Sequence, residues 1–308
     1  MSGPVGTIDA NENAACGEPC EPTVDVTDDR EATVGAMHVR RALPRRGRRT
    51  VGAWCFADHF GPELVTETTG LDIGPHPHMG LHTVTWLLDG AVLHHDSLGS
   101  EQVIRPGQLN LMTAGAGVAH AEEAVDGYRG TLHGVQLWVA QPEATRNGEA
   151  AFAHHADLPI VETGGATGRV IVGTFAGVTS PARHDTELVG AELDARRGDV
   201  VTELRNDFEY AIVVLDGEVV IGETPVRPGQ LGYLGLGRDE LRFTATDSAR
   251  LLLLGGVPFP ELVMMWWNFV ARTREELAAA RTQWQTHDVD RFPDVASKLA
   301  RIPAPPAL

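Results

Sequence analysis

Two pairs of potential metal ligands, His76-x-His78 and His120-x-Glu122, are the residues whose types and spacing best suit chemistry. In a β-strand, residues i and i+2 point to the same face, and their Cα atoms lie about 6.5 Å apart. Two imidazoles at that separation can bind one ion with metal–nitrogen bonds of about 2 Å. Two such pairs on neighbouring strands would therefore form one four-ligand site inside a β-structure.

The chain around these pairs has the pattern of β-strands. From Val51 to Val139, short apolar runs are broken by Gly, Pro, Asp and Asn. One run, Thr83-Val-Thr-Trp-Leu-Leu88, stops at the turn sequence Asp89-Gly90. Because β-branched and aromatic residues alternate with frequent turn signals, the pattern favours an all-β sandwich or barrel.

An internal repeat then divides the chain into two similar halves. Leu88-Asp-Gly-Ala-Val92 matches Leu215-Asp-Gly-Glu-Val219, and Arg105-Pro-Gly-Gln-Leu109 matches Arg227-Pro-Gly-Gln-Leu231. The two offsets are 127 and 122 residues, so the second copy has a shorter loop. The repeat predicts two tandem copies of one β-domain.

The same offsets test whether both copies keep the ligands. His76 and His78 correspond to Glu203 and Arg205, whereas His120 and Glu122 correspond to Arg242 and Thr244. An arginine at a ligand position repels a cation, so the second copy has lost the set. We therefore expect one metal site, in the first domain only.

Four segments follow from these patterns. Thr273-Arg-Glu-Glu276 is a capping box that begins a helix near the end of the chain. Met264, Met265, Trp266 and Trp267 precede that helix and are expected to pack between it and a sheet. The predicted segments are a disordered acidic leader (1–30), an N-terminal metal-binding domain (31–150), a C-terminal domain without ligands (151–272), and a helix with a tail (273–308).

Composition limits the classes of partner. The chain has 308 residues, and 25 Lys and Arg against 42 Asp and Glu give a net charge of −17. Such a charge disfavours direct binding to a phosphate backbone. Cys16, Cys20 and Cys55 are too few for a disulfide scaffold, and the first two lie in the leader. With no signal-peptide pattern and no long apolar run, we expect a cytoplasmic protein without membrane association.

The ligand pairs also lie in sequence motifs. Gly70-x5-His76-x-His78, followed by a Gly-rich approach to His120, resembles the two motifs of cupins. Cupins usually offer a Glu near position 82, where this chain has His82, and here Glu122 supplies the acid instead. That change is typical of the pirin branch. Other stretches that look like pirins are Arg49-Thr-Val-Gly52, Asp58-His-Phe-Gly61, Thr83–Gly90, Met112-Thr-Ala-Gly115, Leu137-Trp138 and Asn268–Glu276.

The resemblance covers roughly residues 33–290 and implies an all-β bicupin fold: two tandem cupin (jelly-roll-like) β-barrels with a short C-terminal helix. Carried over by position, it implies the metal ligands His76, His78, His120 and Glu122. The sequence departs from the pattern at Met79 and Ala116, where pirins commonly have Arg, and at His82. We expect His82 to support the ligands from outside the coordination shell, with a fifth ligand as the alternative.

Three imidazoles and one carboxylate suit Fe(II), Mn(II), Co(II), Ni(II), Cu(II) or Zn(II), and the resemblance favours iron. Pirins are similar to quercetin 2,3-dioxygenases, which implies a flavonol substrate, O₂-dependent ring cleavage and release of carbon monoxide. The metal would lower the pKa of the flavonol 3-hydroxyl. Glu122, the single carboxylate of the set, would accept its proton as the catalytic base.

Eukaryotic pirins imply a rival hypothesis. In it, the protein is a non-catalytic, iron-dependent regulator that binds a protein partner, either in transcription or at a metabolic enzyme. An arginine cluster at positions 40–49 could serve that contact, or it could be a solvated edge of the first strand.

Adjacent histidines face opposite sides of a strand, so the pairs at 94–95 and 154–155 are poor chelates. Asp58 and His59 are expected to be structural.

Overall fold

The computed structural model describes residues 23–34, 37–66 and 71–306. Cys16, Cys20 and Gly70, which the sequence patterns single out, lie outside these residues. Twelve strands come from the first half of the chain: β1 (Asp25–Thr27), β2 (Arg30–Val34), β3 (Met37–Leu43), β4 (Trp54–Val65), β5 (Ile73–His78), β6 (Leu81–Asp89), β7 (Val92–Asp96), β8 (Glu101–Ile104), β9 (Leu109–Thr113), β10 (Val118–Ala124), β11 (Gly130–Ala140) and β12 (Ala151–His155).

Eleven of these strands build the N-terminal barrel. Its larger sheet has the order β12-β9-β6-β11-β4-β3-β2, and its smaller sheet has the order β5-β10-β7-β8. All pairings are antiparallel, so alternate residues of each strand point into the barrel. One end of the interior is apolar and includes Phe60, Leu87 and Leu132.

The second half adds thirteen strands and one helix: β13 (Ile160–Thr163), β14 (Ala166–Phe175), β15 (Val178–Thr179), β16 (Leu188–Ala195), β17 (Gly198–Glu203), β18 (Glu209–Asp216), β19 (Val219–Ile221), β20 (Thr224–Val226), β21 (Leu231–Leu236), β22 (Glu240–Ala245), β23 (Ala249–Gly256), β24 (Met264–Trp266), β25 (Phe269–Ala271) and α1 (Arg274–Gln285).

The C-terminal barrel repeats the plan of the first. One sheet has the order β1-β21-β18-β23-β16-β14-β13, with β15 paired to β14, and the other has the order β17-β22-β19-β20. Its interior is a continuous apolar cluster that includes Val200, Leu241 and Phe243. The prediction of an all-β protein with two tandem barrels is therefore confirmed.

Two strands cross the predicted segment boundaries. β1 lies within the predicted disordered leader, yet Asp25–Thr27 pairs with β21 at the edge of the C-terminal barrel. β12 lies beyond position 150, yet it pairs with β9 in the N-terminal barrel. Each barrel thus holds a strand from the segment predicted to belong elsewhere.

The barrels share an apolar core between their larger sheets, to which Val84, Leu137 and Leu252 contribute. Two buried indoles join them by hydrogen bonds. Trp54 Nε1 donates to the Val189 carbonyl at 2.9 Å, and Trp86 Nε1 donates to the Glu192 carboxylate at 3.1 Å. The two barrels are therefore packed as one unit.

The C-terminal segment folds back onto the N-terminal barrel. The β24–β25 hairpin and α1 place Trp266, Trp267 and Trp284 in a cluster with Met79 and Ala119. This confirms the predicted packing for Met264, Trp266 and Trp267, whereas Met265 packs in the core that the two barrels share. No helix among the described residues is long and apolar enough to cross a bilayer.

The capping box forms with one change. Thr273 Oγ1 accepts a hydrogen bond from the Glu276 amide at 3.2 Å, as predicted. The Glu276 carboxylate accepts from the amide of Arg272, one residue before the cap, at 3.0 Å. One of the free amides of the first helical turn is thereby satisfied, together with the amide that precedes the cap.

Candidate metal centre

Strands β5 and β10 bring three histidines together inside the N-terminal barrel. The strands pair so that His76 lies opposite His120, and His78 lies opposite Val118. The three side chains are buried, since His76 is 7% exposed and the other two are 1% exposed. Cross-strand and diagonal neighbours on one face are within contact distance. The i, i+2 spacing therefore has the geometric effect that the sequence predicts.

The ligand atoms of the three imidazoles all lie within 4.8 Å of one another. In the part of the chain that the structure describes, no other cluster of three His, Cys, Asp or Glu does so. Nε2 of His78 and Nε2 of His120 are 3.1 Å apart. Two nitrogens bound at a right angle to one ion, each at about 2.1 Å, would be separated by about 3.0 Å.

The opposite ring nitrogens show which tautomers are present. Nδ1 of His76 lies 2.9 Å from the Gly74 carbonyl, and Nδ1 of His78 lies 3.2 Å from the Asn268 carbonyl. A carbonyl can only accept, so both rings carry their proton on Nδ1. Their Nε2 atoms therefore present lone pairs to the centre. Buried lone pairs that converge in this way fit a cation.

Electrostatics keep these imidazoles neutral. Burial lowers the pKa of His76 to about 4, and the Gly74 hydrogen bond opposes this only in part. Burial and the neighbouring imidazoles lower the pKa of His78 and of His120 well below the usual value. Because metal ligation requires the neutral ring, the ligands are in the binding form at neutral pH.

Glu122 lies on the same inner face but outside the three-histidine group. It is 5% exposed, and Thr85 Oγ1 lies 3.5 Å from its Oε1. The pairing with β5 shifts by one residue between His120 and Glu122, which is a β-bulge. Burial raises the pKa of Glu122 to about 7. Its part as fourth ligand stays a prediction.

Comparison with known proteins agrees with this geometry. The model of the pirin family matches residues 36–139, and that of the pirin C-terminal cupin domain matches residues 191–290. The crystal structure of a quercetin 2,3-dioxygenase from Acinetobacter baumannii is 42% identical, with a TM-score of 0.88. The match covers 92% of this chain and 95% of that one. The chain belongs to the pirin family.

Two further relatives define the range of pirins that it resembles. PA1205 of Pseudomonas aeruginosa, whose name assigns it provisionally to the quercetin 2,3-dioxygenases, is 42% identical and covers 99% of this chain and 98% of its own. The Escherichia coli pirin YhhW, solved with nickel(II), is 16% identical with a TM-score of 0.62. It covers 77% of this chain and 100% of its own, and at that identity it supports the bicupin fold alone.

Around the three histidines, this pirin has aromatic side chains on two sides. Trp138 meets the His78 ring edge-on at 5.1 Å and stacks on Phe56 at 4.0 Å. On the other side, Phe152 stacks on His94 at 4.5 Å. Sequence patterns do not single out His94, because two adjacent histidines on a strand face opposite sides and are poor chelates.

His82 does not take either role expected of it in this pirin. Its Nδ1 lies 2.9 Å from Thr113 Oγ1, and its Nε2 lies 3.1 Å from the Asp185 carboxylate. Thr85, three residues on, contacts Glu122 inside the barrel, so alternation turns His82 to the opposite face. His82 therefore ties β6 to the loop between β15 and β16 of the second barrel.

The arginines at 40–49 are largely used within the chain. Arg41 is 1% exposed and forms a two-pronged ion pair with Asp58, with contacts of 2.7 and 2.6 Å. Arg40 donates to the Gly61 carbonyl at 2.9 Å, and Arg48 lies over the ring of Tyr233. The prediction that these arginines form a solvated strand edge is therefore wrong for Arg41. The structural role expected for Asp58 is confirmed.

The second barrel of this pirin lacks the ligands, but the residues that take their places are not those that the offsets give. Arg205, Arg242 and Thr244 are exposed. Strand pairing puts Thr202 opposite Leu241 and Val200 opposite Phe243. Val219 opposite Ala245 corresponds to Val92 opposite Ala124, so Leu241 and Phe243 take the places of His120 and Glu122. A one-residue error in the offset exchanged the inner and outer faces.

Proposed function

We propose that this protein binds one Fe(II) ion through His76, His78, His120 and Glu122 and uses it to cleave a quercetin-type flavonol with O₂. The observation that carries the proposal is the convergence of neutral imidazoles, with the Nε2 atoms of His78 and His120 3.1 Å apart. The relatives named for quercetin 2,3-dioxygenase support the choice of substrate.

The bound ion would supply Lewis acidity that lowers the pKa of a coordinated hydroxyl, and a redox centre for O₂. Mn(II), Co(II), Ni(II), Cu(II) and Zn(II) also suit this donor set. His76, His78 and His120 would hold the ion with their Nε2 atoms. Glu122 would complete the set on leaving its contact with Thr85.

The protein's own part in the reaction is proton transfer and exclusion of water. Glu122, the single carboxylate of the proposed ligand set, would accept the 3-hydroxyl proton of a flavonol. Phe56 and Trp138 form a stacked pair beside His78. Their apolar rings would line the site and keep water from the reacting ring.

The test begins with metal analysis of protein purified without added metal, followed by anaerobic loading with Fe(II). We expect about one metal per chain and saturable loss of quercetin with O₂ that stops without O₂. His76→Ala should abolish both metal binding and turnover. His95→Ala, on the outer face of the same barrel, is the matched control and should keep both. Equal loss of quercetin with and without O₂ would rule out the dioxygenase.

A further inference from the structure

The third histidine of the centre lies in a chain of side chains that runs to a buried carboxylate. Nδ1 of His120 is 3.4 Å from Nδ1 of His94, and Nε2 of His94 is 3.0 Å from Oδ2 of Asp96. All three groups are buried, with exposed fractions of 1% to 3%. They lie on the inner faces of β10 and β7, where Asp96 is opposite His120 and His94 is opposite Glu122.

The direction of the protons along this chain follows from the carboxylate. Asp96 Oδ1 already accepts from the amides of Leu98 and Ser100, each at 2.9 Å, so the carboxylate is held in place and charged. Oδ2 of a charged carboxylate can only accept, so His94 donates to it from Nε2. In the arrangement that leaves Nε2 of His120 free, Nδ1 of His94 accepts from Nδ1–H of His120.

We propose that Asp96 and His94 are positioning residues that set the tautomer of His120, so that its Nε2 is free for the metal. The carbonyls of Gly74 and Asn268 fix the tautomers of His76 and His78 in the same way, because each accepts from Nδ1–H. Among the described residues, no backbone carbonyl is recorded as a partner of His120 Nδ1, and His94 with Asp96 takes that place. Groups of this kind outside the coordination shell change metal affinity about 10- to 100-fold.

The surroundings of His94 suit this task. Phe152 stacks on its ring at 4.5 Å and 15°, which fixes the ring plane. His95, the next residue, points out of the barrel toward Glu101 and Glu123, at 3.9 and 4.0 Å. The histidine pair at 94–95 is therefore one positioning residue and one surface residue.

This inference rests on the proposed metal site, and Co(II) provides a probe that is independent of turnover. Affinity is measured by competition with a chromophoric chelator, and the visible ligand-field spectrum reports the coordination geometry. His94→Phe keeps the stack on Phe152 and removes both nitrogens, so we expect Co(II) affinity to fall about 10- to 100-fold with a changed spectrum. His95→Phe is the matched control and should stay within about twofold of the wild type.

His94→Gln separates positioning from packing. A glutamine can accept from His120 with its oxygen and donate to Asp96 with its amide, so it should recover much of the affinity lost in His94→Phe. If the His94 ring acted only by packing, the order would be reversed, with Phe mild and Gln severe. That order would overturn the proposal.

Asp96→Asn tests the direction of the chain. Its amide group, turned toward His94, would donate to Nε2 and move the His94 proton to Nδ1. His120 would then carry its own proton on Nε2, where it blocks the metal. We expect a loss at least as large as in His94→Phe. In the metal-free protein, long-range ¹H–¹⁵N spectra should show the His120 proton moving from Nδ1 to Nε2, and an unchanged tautomer would contradict the inference.

The outcomes distinguish the two proposals. Failure of the wild-type protein to bind Co(II) would remove the proposed function. Tight binding by the wild type, with equal affinity and spectrum in His94→Phe, would remove only the positioning role. Circular dichroism melting of each metal-free variant checks that the barrels remain folded.

Discussion

The two barrels share one strand plan, and their interiors differ at the places that matter for chemistry. In the first, β5 and β10 face inward with His76, His78 and His120. In the second, the paired residues of β17 and β22 are Thr202 and Leu241. The second interior is a continuous apolar cluster, whereas the first has buried lone pairs that repel one another. We therefore expect the first interior, without a bound ion, to contribute less to stability than the second.

The largest expected effect comes from giving the first barrel the residues of the second. In the double variant His76→Thr and His120→Leu, the centre keeps one imidazole and Glu122. We expect metal stoichiometry to fall from about one to near zero, a loss of affinity of more than about 100-fold. Metal analysis after dialysis checks this. Retention of half the metal would mean that His78 and Glu122 bind it without the others.

The second barrel should show the opposite sensitivity. Phe243 is 1% exposed in an apolar interior, so Phe243→Ala should lower the free energy of unfolding by about 3–5 kcal/mol. Metal content should be unchanged in the folded protein. Urea denaturation measures the stability, and Thr244→Ala on the outer face is the control, with a change within about 0.5 kcal/mol. A loss below 1 kcal/mol would mean that the interior re-packs.

Glu122 gives the first barrel a pH dependence that an apolar interior lacks. Its pKa is about 7 in the folded protein against 4.5 when exposed, so the folded state keeps a proton that the unfolded state releases. Stability of the metal-free protein should therefore fall as pH rises from about 4.5 to 7, by on the order of 3 kcal/mol from this group.

Glu122→Gln isolates that contribution from the buried histidines, which remain in both proteins. The stability of Glu122→Gln relative to the wild type should rise with pH, and urea denaturation between pH 5 and 8 measures the difference. Glu123→Gln makes the same change on the outer face of the strand, where Ser297 Oγ donates to the carboxylate at 2.6 Å, and is measured alongside. A flat difference for Glu122→Gln would show that its carboxyl ionises as in water.

The smallest effect is expected at Arg205, the residue that the sequence offset makes equivalent to His78. The structure shows Arg205 exposed, in ion pairs of 2.6 Å with Glu187 and with Asp207. Arg205→His should therefore leave metal stoichiometry at about one and change stability by less than about 1 kcal/mol. A loss of stability well above 1 kcal/mol would mean that Arg205 points into the barrel, as the offset requires.

The sequence predicted what depends on local spacing. Alternation along a strand placed His76 and His78 on one face, and the repeat gave two barrels. It failed where the answer depends on pairing between strands. The residue of the second barrel that is equivalent to His120 is Leu241, one position from the offset estimate. His82 faces the second barrel instead of the ligands. His94 and Asp96 can be recognised only from their contact with His120 on the neighbouring strand, and spacing within one strand does not reveal that contact.

The Asn268 carbonyl that fixes His78 has a consequence for how the protein is made. It lies 190 residues further along the chain, and the Phe269 bridge to Met79 and the Ile302 hydrogen bond to Pro75 come from the same late segment. A ribosome delivers these groups long after the first barrel has emerged. The centre is therefore completed only after the second barrel has been synthesised, and a chain truncated before Asn268 would have an unfinished site.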